Sequence, residues 1–239
     1  MKKQVLSLLL LTILITMQNL NAQNKIYDYP IKPGSVEWKN LANTNEKINA
    51  CQIPETLLLK LTTLDLLIIC LDYPLLNNYT ASNNPIEGLK NIVSSFNGLK
   101  EFLKREDAGK VLLEYYKNEN LNKIQSYSDK GKYTFDFCAL ELLLCQDEII
   151  QKLTPLQRKE ALNNVIIKYN EKSKYQEYFG FYGKMTTSYI GSKYMISLGN
   201  DITITSPSKK RFVEQMAILD LSLIDEIVQD IDQYLNKSK

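Results

Sequence analysis

Apolar and polar positions alternate along this chain in steps of three and four. Near the C-terminus Leu221, Ile224, Val228, Ile231 and Leu235 advance by 3, 4, 3 and 4, which puts all five on one face of an α-helix. Leu162, Val165, Ile166 and Tyr169 repeat the pattern, and Phe135, Cys138, Leu142 and Cys145 mark a further helix. Shorter helical units are predicted near 36–41, 45–51, 55–60, 63–72, 86–96, 99–105, 108–117, 184–198 and 208–218. Four start signals agree. Asn84-Pro85-Ile86-Glu87 and Thr154-Pro155-Leu156-Gln157 each combine a capping side chain, a proline at the first helical position and Glu or Gln at the third. Ser206-Pro207 repeats the cap and proline, and Thr62-Thr63-Leu64-Asp65 is a looser box with Asp as the returning group. The strand-like piece Ile202-Thr203-Ile204-Thr205 is too short to found a sheet.

The pattern predicts an all-α protein. Several units are too short to be stable alone, so they must bury their apolar faces on one another. The expected architecture is an irregular stack of short antiparallel helices, either an α-hairpin stack or a compact multi-helix bundle. No repeat of solenoid length is visible. Residues 23–239 read as one helical domain. The Asn-, Ser-, Asp- and Gly-bearing stretch 118–132 is the candidate seam between two subdomains, and a single continuous core fits it equally well.

The first 22 residues break the pattern. Lys2 and Lys3 precede an uncharged, leucine-rich run over 5–17, followed by a polar end closing on Ala22, the layout of a secretory signal peptide. As a helix that run is about 20 Å long, short of a bilayer core of about 30 Å. The expectation is cleavage after Ala22, no lasting membrane anchor, and a soluble secreted or periplasmic product.

Composition then closes off chemistries. Gly 9 and Pro 7 in 239 residues are about half the usual share, in keeping with helix. Loss of Lys2 and Lys3 with the leader leaves 27 basic and 27 acidic side chains. A neutral chain with no basic cluster argues against nucleic acid as a partner. The absence of histidine excludes Ser-His and Cys-His nucleophiles and His-ligated zinc or haem. No metal site and no cofactor are expected. Four cysteines do not make a disulfide scaffold. Cys51 and Cys70 lie on neighbouring short helices and are the candidate bridge, the alternative being four buried thiols.

Past the leader come Tyr29-Pro30-Ile31-Lys32-Pro33-Gly34 and Glu37-Trp38. Cys51-Gln52-Ile53-Pro54, the segment Thr62-Thr63 to Leu66, and Cys70-Leu71-Asp72-Tyr73-Pro74 follow. This succession, over residues 27–118, resembles an uncharacterised group of exported bacterial all-helical proteins with the same order of motifs. The resemblance implies export and a helical fold. The group carries no assigned activity, so no catalytic residue is transferred.

Three constellations remain. Ser206-Pro207-Ser208-Lys209 fits the S-x-x-K pattern of penicillin-binding enzymes, but its companion motifs are absent, which favours a helix cap. Asp225, Glu226, Asp230 and Asp232 fall opposite the C-terminal apolar stripe, a solvated face. The stretch 175–194 is the most unusual, with Tyr175, Tyr178, Tyr182, Tyr189 and Tyr194 among phenylalanines and glycines. These tyrosines form the candidate binding surface, since rings with a polar tip suit wet interfaces; packing between two helices is the competing reading, as it is for Trp38. The expected function is non-enzymatic binding of a macromolecule, either a protein or a cell-envelope glycan. The alternative is a carboxylate-dependent glycan or peptidoglycan hydrolase, for which Asp136, Glu141 and Glu177 would have to face one another across a cleft about 5–9.5 Å wide.

Overall fold

The structure is a computed structural model that describes residues 26–204, 206–217 and 220–237. The predicted leader, 1–22, lies outside the described residues. Helices follow one another in the order α1 (Val36–Asn40), α2 (Thr44–Ala50), α3 (Glu55–Leu58), α4 (Thr63–Leu71), α5 (Pro85–Ser95), α6 (Asn97–Lys104) and α7 (Ala108–Asn118). Then come α8 (Lys130–Leu144), α9 (Asp147–Gln151), α10 (Pro155–Lys174), α11 (Gln176–Ser197), α12 (Pro207–Gln215) and α13 (Ser222–Lys237). Two 3₁₀ segments, Leu76–Ala81 and Leu121–Gln125, bridge α4 to α5 and α7 to α8. Among the described residues there is no strand, and the fold is all-α.

All four predicted start signals cap helices. The Thr154 hydroxyl accepts from the Gln157 amide at 3.2 Å while the Gln157 side chain accepts from the Thr154 amide at 2.9 Å. Asn84 accepts from the Ile86 amide at 2.9 Å, Thr62 from Asp65 at 3.1 Å and Ser206 from Lys209 at 3.4 Å. Each satisfies a first-turn N–H that has no partner within the helix. Residues 202–204 are not a strand; the Thr203 amide and hydroxyl both donate to Asp201 in a local turn.

α10 and α11 form an antiparallel hairpin, with α13 laid across both and α8 against α11. α4 packs on α6 and α7, and the first 3₁₀ segment on α5 and α8. α8 is the central element: ten of its residues, Tyr133 to Leu144 in outline, are buried. Two predicted stripes are displaced. Leu221 precedes α13 and is 69% exposed, whereas Leu223 and Ile227 join Ile224, Ile231 and Leu235 inside. On α8 Phe135 points outward, and Phe137, Leu140 and Leu144 share the core with Cys138.

The stretch 118–132 is pinned at several points. Leu121 and Ile124 are buried, Lys168 Nζ donates to the Glu119 carbonyl at 2.5 Å, and the Tyr175 hydroxyl donates to Asn122 at 2.6 Å. One apolar core runs past it on both sides. The four cysteines are buried free thiols in this structure, the alternative to the candidate Cys51–Cys70 bridge. Cys51 instead points its thiol at the Ile31 carbonyl, 3.9 Å away.

Candidate functional site

An open concavity lies beside the N-terminal half of α8. Asp129 caps this helix by accepting from the Lys132 amide at 2.8 Å, which fixes the direction in which its first two turns project. Lys132, Tyr133, Asp136, Phe137 and Leu140 then share one face at helical spacing. Facing them are Ile68 and Leu71 from α4 with its C-cap Asp72, and Tyr115 from α7 with its C-cap Glu119. Lys123, Tyr127, Ser128 and Asp129 close one end. The groove so formed is open and has a volume of about 520 Å³.

Its polar groups are ordered by one another. The Tyr133 hydroxyl donates to Glu119 at 2.9 Å, and Lys123 pairs with the same carboxylate at 3.1 Å. Lys132 pairs with Asp136 at 2.5 Å, and the Asn77 side-chain amide donates to the other Asp136 oxygen at 2.7 Å. The Tyr127 and Tyr133 rings lie 4.5 Å apart, centroid to centroid. Burial pushes the Asp136 carboxyl above the usual carboxylate range, against the opposing pull of Lys132 and Asn77; the Asp72 charge adds to the rise. Burial, with Glu119, Tyr127 and Asp136 nearby, pushes the Tyr115 hydroxyl up to about 12. Four carboxylates and two lysines therefore line a groove walled by three tyrosines.

The five tyrosines expected to form a binding surface do not come together. Tyr194 is in the core, its hydroxyl donating to the Leu144 carbonyl at 3.1 Å. Tyr189 is buried edge-on against Phe212 and donates to the Val213 carbonyl at 3.2 Å. Tyr182 is half-buried under Phe135, at 6.0 Å between rings. Tyr175 is tied to Asn122, and Tyr178, 37% exposed, has Lys130 over its ring at 5.8 Å. Tyr189 and Tyr194 thus serve packing, and the remaining three lie toward the start of α11. Trp38 is half-buried against the core with Lys47 over its ring at 5.4 Å.

The three carboxylates of the hydrolase alternative are also dispersed. Asp136 lines the groove, Glu141 is wholly buried on an ion pair with Lys172, and Glu177 is exposed on α11. The S-x-x-K residues do not form a Ser–Lys dyad: Ser206 is a cap, and the Lys209 ammonium is held by Asp230. The other C-terminal acids have structural partners, Asp225 receiving the Tyr169 hydroxyl and Glu226 the Ser222 hydroxyl. Among the described residues no cluster of three or more potential ligands could hold a metal ion, and no helix is long and apolar enough to cross a membrane.

Of the groove residues, sequence reasoning singled out Asp136 alone as a site candidate. A signal was present, since Tyr115, Tyr127, Tyr133 and Phe137 stand among charges over 115–137 much as the tyrosines do over 175–194. Set against known proteins, the chain matches no family model, no curated protein and no solved structure. The roles of these residues therefore rest on their geometry.

Proposed function

We propose that this protein is a non-enzymatic macromolecule-binding module, exported to the periplasm or beyond, that seats a segment of its partner in the groove beside α8. The observation that carries this reading is the convergence of Tyr115, Tyr127 and Tyr133 with Asp72, Glu119 and Asp136 on one open concavity of about 520 Å³. Tyrosine rings supply large contact area at low entropic cost, and their hydroxyls keep such a surface soluble while it is empty. Protein and cell-envelope glycan are the two partner classes this chemistry suits.

The test is capture from cell-envelope extract by the immobilised protein, run beside a glycan array. Tyr127→Ala is expected to lower retention about tenfold or more, as truncation of a hot-spot aromatic does, while Tyr178→Ala, on α11, leaves it unchanged. Full retention by the Tyr127 variant would overturn the reading.

A carboxylate-dependent glycan or peptidoglycan hydrolase stands as the second reading, and Asp136 favours it. A carboxyl lifted by burial, with Asp72 near enough to raise it further, has the character of a general acid. The binding reading expects no reducing ends to be released from purified peptidoglycan. Release by the protein, lost in Asp136→Asn, would replace it with the hydrolase.

A further inference from the structure

We propose that Lys172 and Glu141 condense into an intramolecular amide, a covalent cross-link between α10 and the central helix α8 that forms with loss of one water. The link lies in the core and is independent of what the groove binds.

Both side chains are wholly shielded from water, with Lys172 Nζ 2.6 Å from Glu141 Oε2. At that distance the carboxyl carbon is about 3–3.5 Å from the nitrogen, the separation of reacting atoms in a near-attack arrangement. The Phe137 and Phe179 rings cover the amine at 4.7 and 5.3 Å and keep water from it. Ions in so dry a site relieve the cost of desolvation by passing a proton and becoming neutral. That transfer yields the two forms that react, a free amine and a carboxylic acid. By contrast, the Lys168–Glu171 and Lys209–Asp230 pairs leave the carboxylate 29% and 32% exposed, and water there keeps both partners charged.

The hydroxyls around the pair meet the needs of the step. Thr187 donates to Glu141 Oε1 at 2.8 Å and Tyr116 to the same oxygen at 3.4 Å. Charge that develops on Oε1 as the carbon becomes tetrahedral therefore has donors already in place. The Thr186 hydroxyl lies against Oε2 and 2.9 Å from the Gly183 carbonyl, to which Lys172 Nζ also donates at 2.7 Å. The ammonium first gives one proton to Oε2. The nitrogen lone pair then attacks the carboxyl carbon and the N–C bond forms. A second proton passes from nitrogen to Oε2 through the Thr186 hydroxyl, the C–Oε2 bond breaks, and that oxygen leaves as water. Of the three ammonium hydrogens two depart in the water and one stays on the amide nitrogen, so no oxidant or further reactant is required.

The experiment is intact mass spectrometry of the purified protein, reduced and denatured, followed by a tryptic peptide map. The chain is expected to be lighter by one water than the mass calculated from its own N-terminal residue. Trypsin is expected to leave the bond after Lys172 uncut and to release the peptide 133–152 joined to the peptide 169–174. Lys172→Arg keeps the positive charge but cannot supply a free amine, so its full mass and two separate peptides are expected. A parent chain at its full sequence mass would overturn the inference. So would a loss of water that persists in the Lys172→Arg variant, or one that maps to other peptides. If the variant does not fold, the peptide map of the parent decides alone.

Discussion

Glu141 and Lys172 are both wholly shielded from water, with 2.6 Å between Nζ and the carboxylate. Removing two charges from water costs several kcal/mol per ion unless their remaining valences are met. Here they are met. Lys172 also donates to the Gly183 carbonyl at 2.7 Å and lies over the Phe137 and Phe179 rings at 4.7 and 5.3 Å. Glu141 accepts from Thr187 at 2.8 Å, from Tyr116 at 3.4 Å and from Thr186. Lys172→Met leaves a buried carboxylate unpaired and is expected to lower stability by about 3–5 kcal/mol in urea unfolding. The double replacement Glu141→Leu with Lys172→Met is expected to cost less than that single change, because no charge is stranded. In the sequence, Glu141 stood out only as one carboxylate of the hydrolase alternative. Its partner, one lysine among many, did not stand out.

The thiols extend the argument at the same scale. Burial pushes Cys51 and Cys138 from an ordinary 9.0 up to about 11. A proton held more tightly by the folded state stabilises it below the unfolded pKa, and that contribution is lost as pH rises through the folded one. Stability is therefore expected to fall between about pH 9 and about pH 11. At pH 8 iodoacetamide should spare all four cysteines in the native protein and modify all four in denaturant without reductant, as read by intact mass. A peptide pair linked through Cys51 and Cys70 would instead support the candidate bridge read from the sequence.

Among the elements, α11 shows how one residue redirects a helix. Gly180 has φ 52° and ψ −155°, a region essentially confined to glycine. A Cβ there would meet nothing within 4 Å, so the constraint is on the backbone alone. Gly180→Ala is expected to destabilise by about 1–3 kcal/mol, measured as a lower unfolding midpoint with helix content retained. The bend interrupts the helical phase, and Tyr175 and Tyr178 before it do not continue the face of Tyr189 and Tyr194 beyond it. Farther along, Gly191 lets α13 approach, since a Cβ would stand 2.2 Å from the Ile231 terminal methyl. Gly191 thus serves close helix packing, whereas Gly180 serves the bend. The helix starts were legible because a cap and its first turn lie within four residues of each other. The displaced stripes on α8 and α13 were not, because which of several apolar positions turns inward depends on the helix that arrives opposite.

Across the whole molecule, the groove draws on segments that are far apart in the chain. Ile68 comes from α4 and Asp72 from its C-cap, Tyr115 from α7 and Glu119 from its C-cap, and Asp136 from α8. On its polar composition the stretch 118–132 was the candidate seam between two subdomains, with a single continuous core fitting it equally well. Its Leu121 and Ile124 are buried, and Lys123, Tyr127, Ser128 and Asp129 line the groove. The Tyr127→Ala test belongs at this scale. Tyr127 is exposed, so the variant should unfold within about 0.5 kcal/mol of the parent, and loss of capture then reports the groove rather than the fold.

By itself the sequence determined the helical class, the four proline- or threonine-marked starts, and the exclusion of histidine chemistry. Those properties are written in neighbours three and four residues apart or in composition. The tertiary structure alone decided which tyrosines are core and which line a groove, which lysine neutralises Glu141, and where the molecule is concave. Each depends on side chains tens of residues apart meeting as helices pack, and the energy of that meeting has no local signature in the chain.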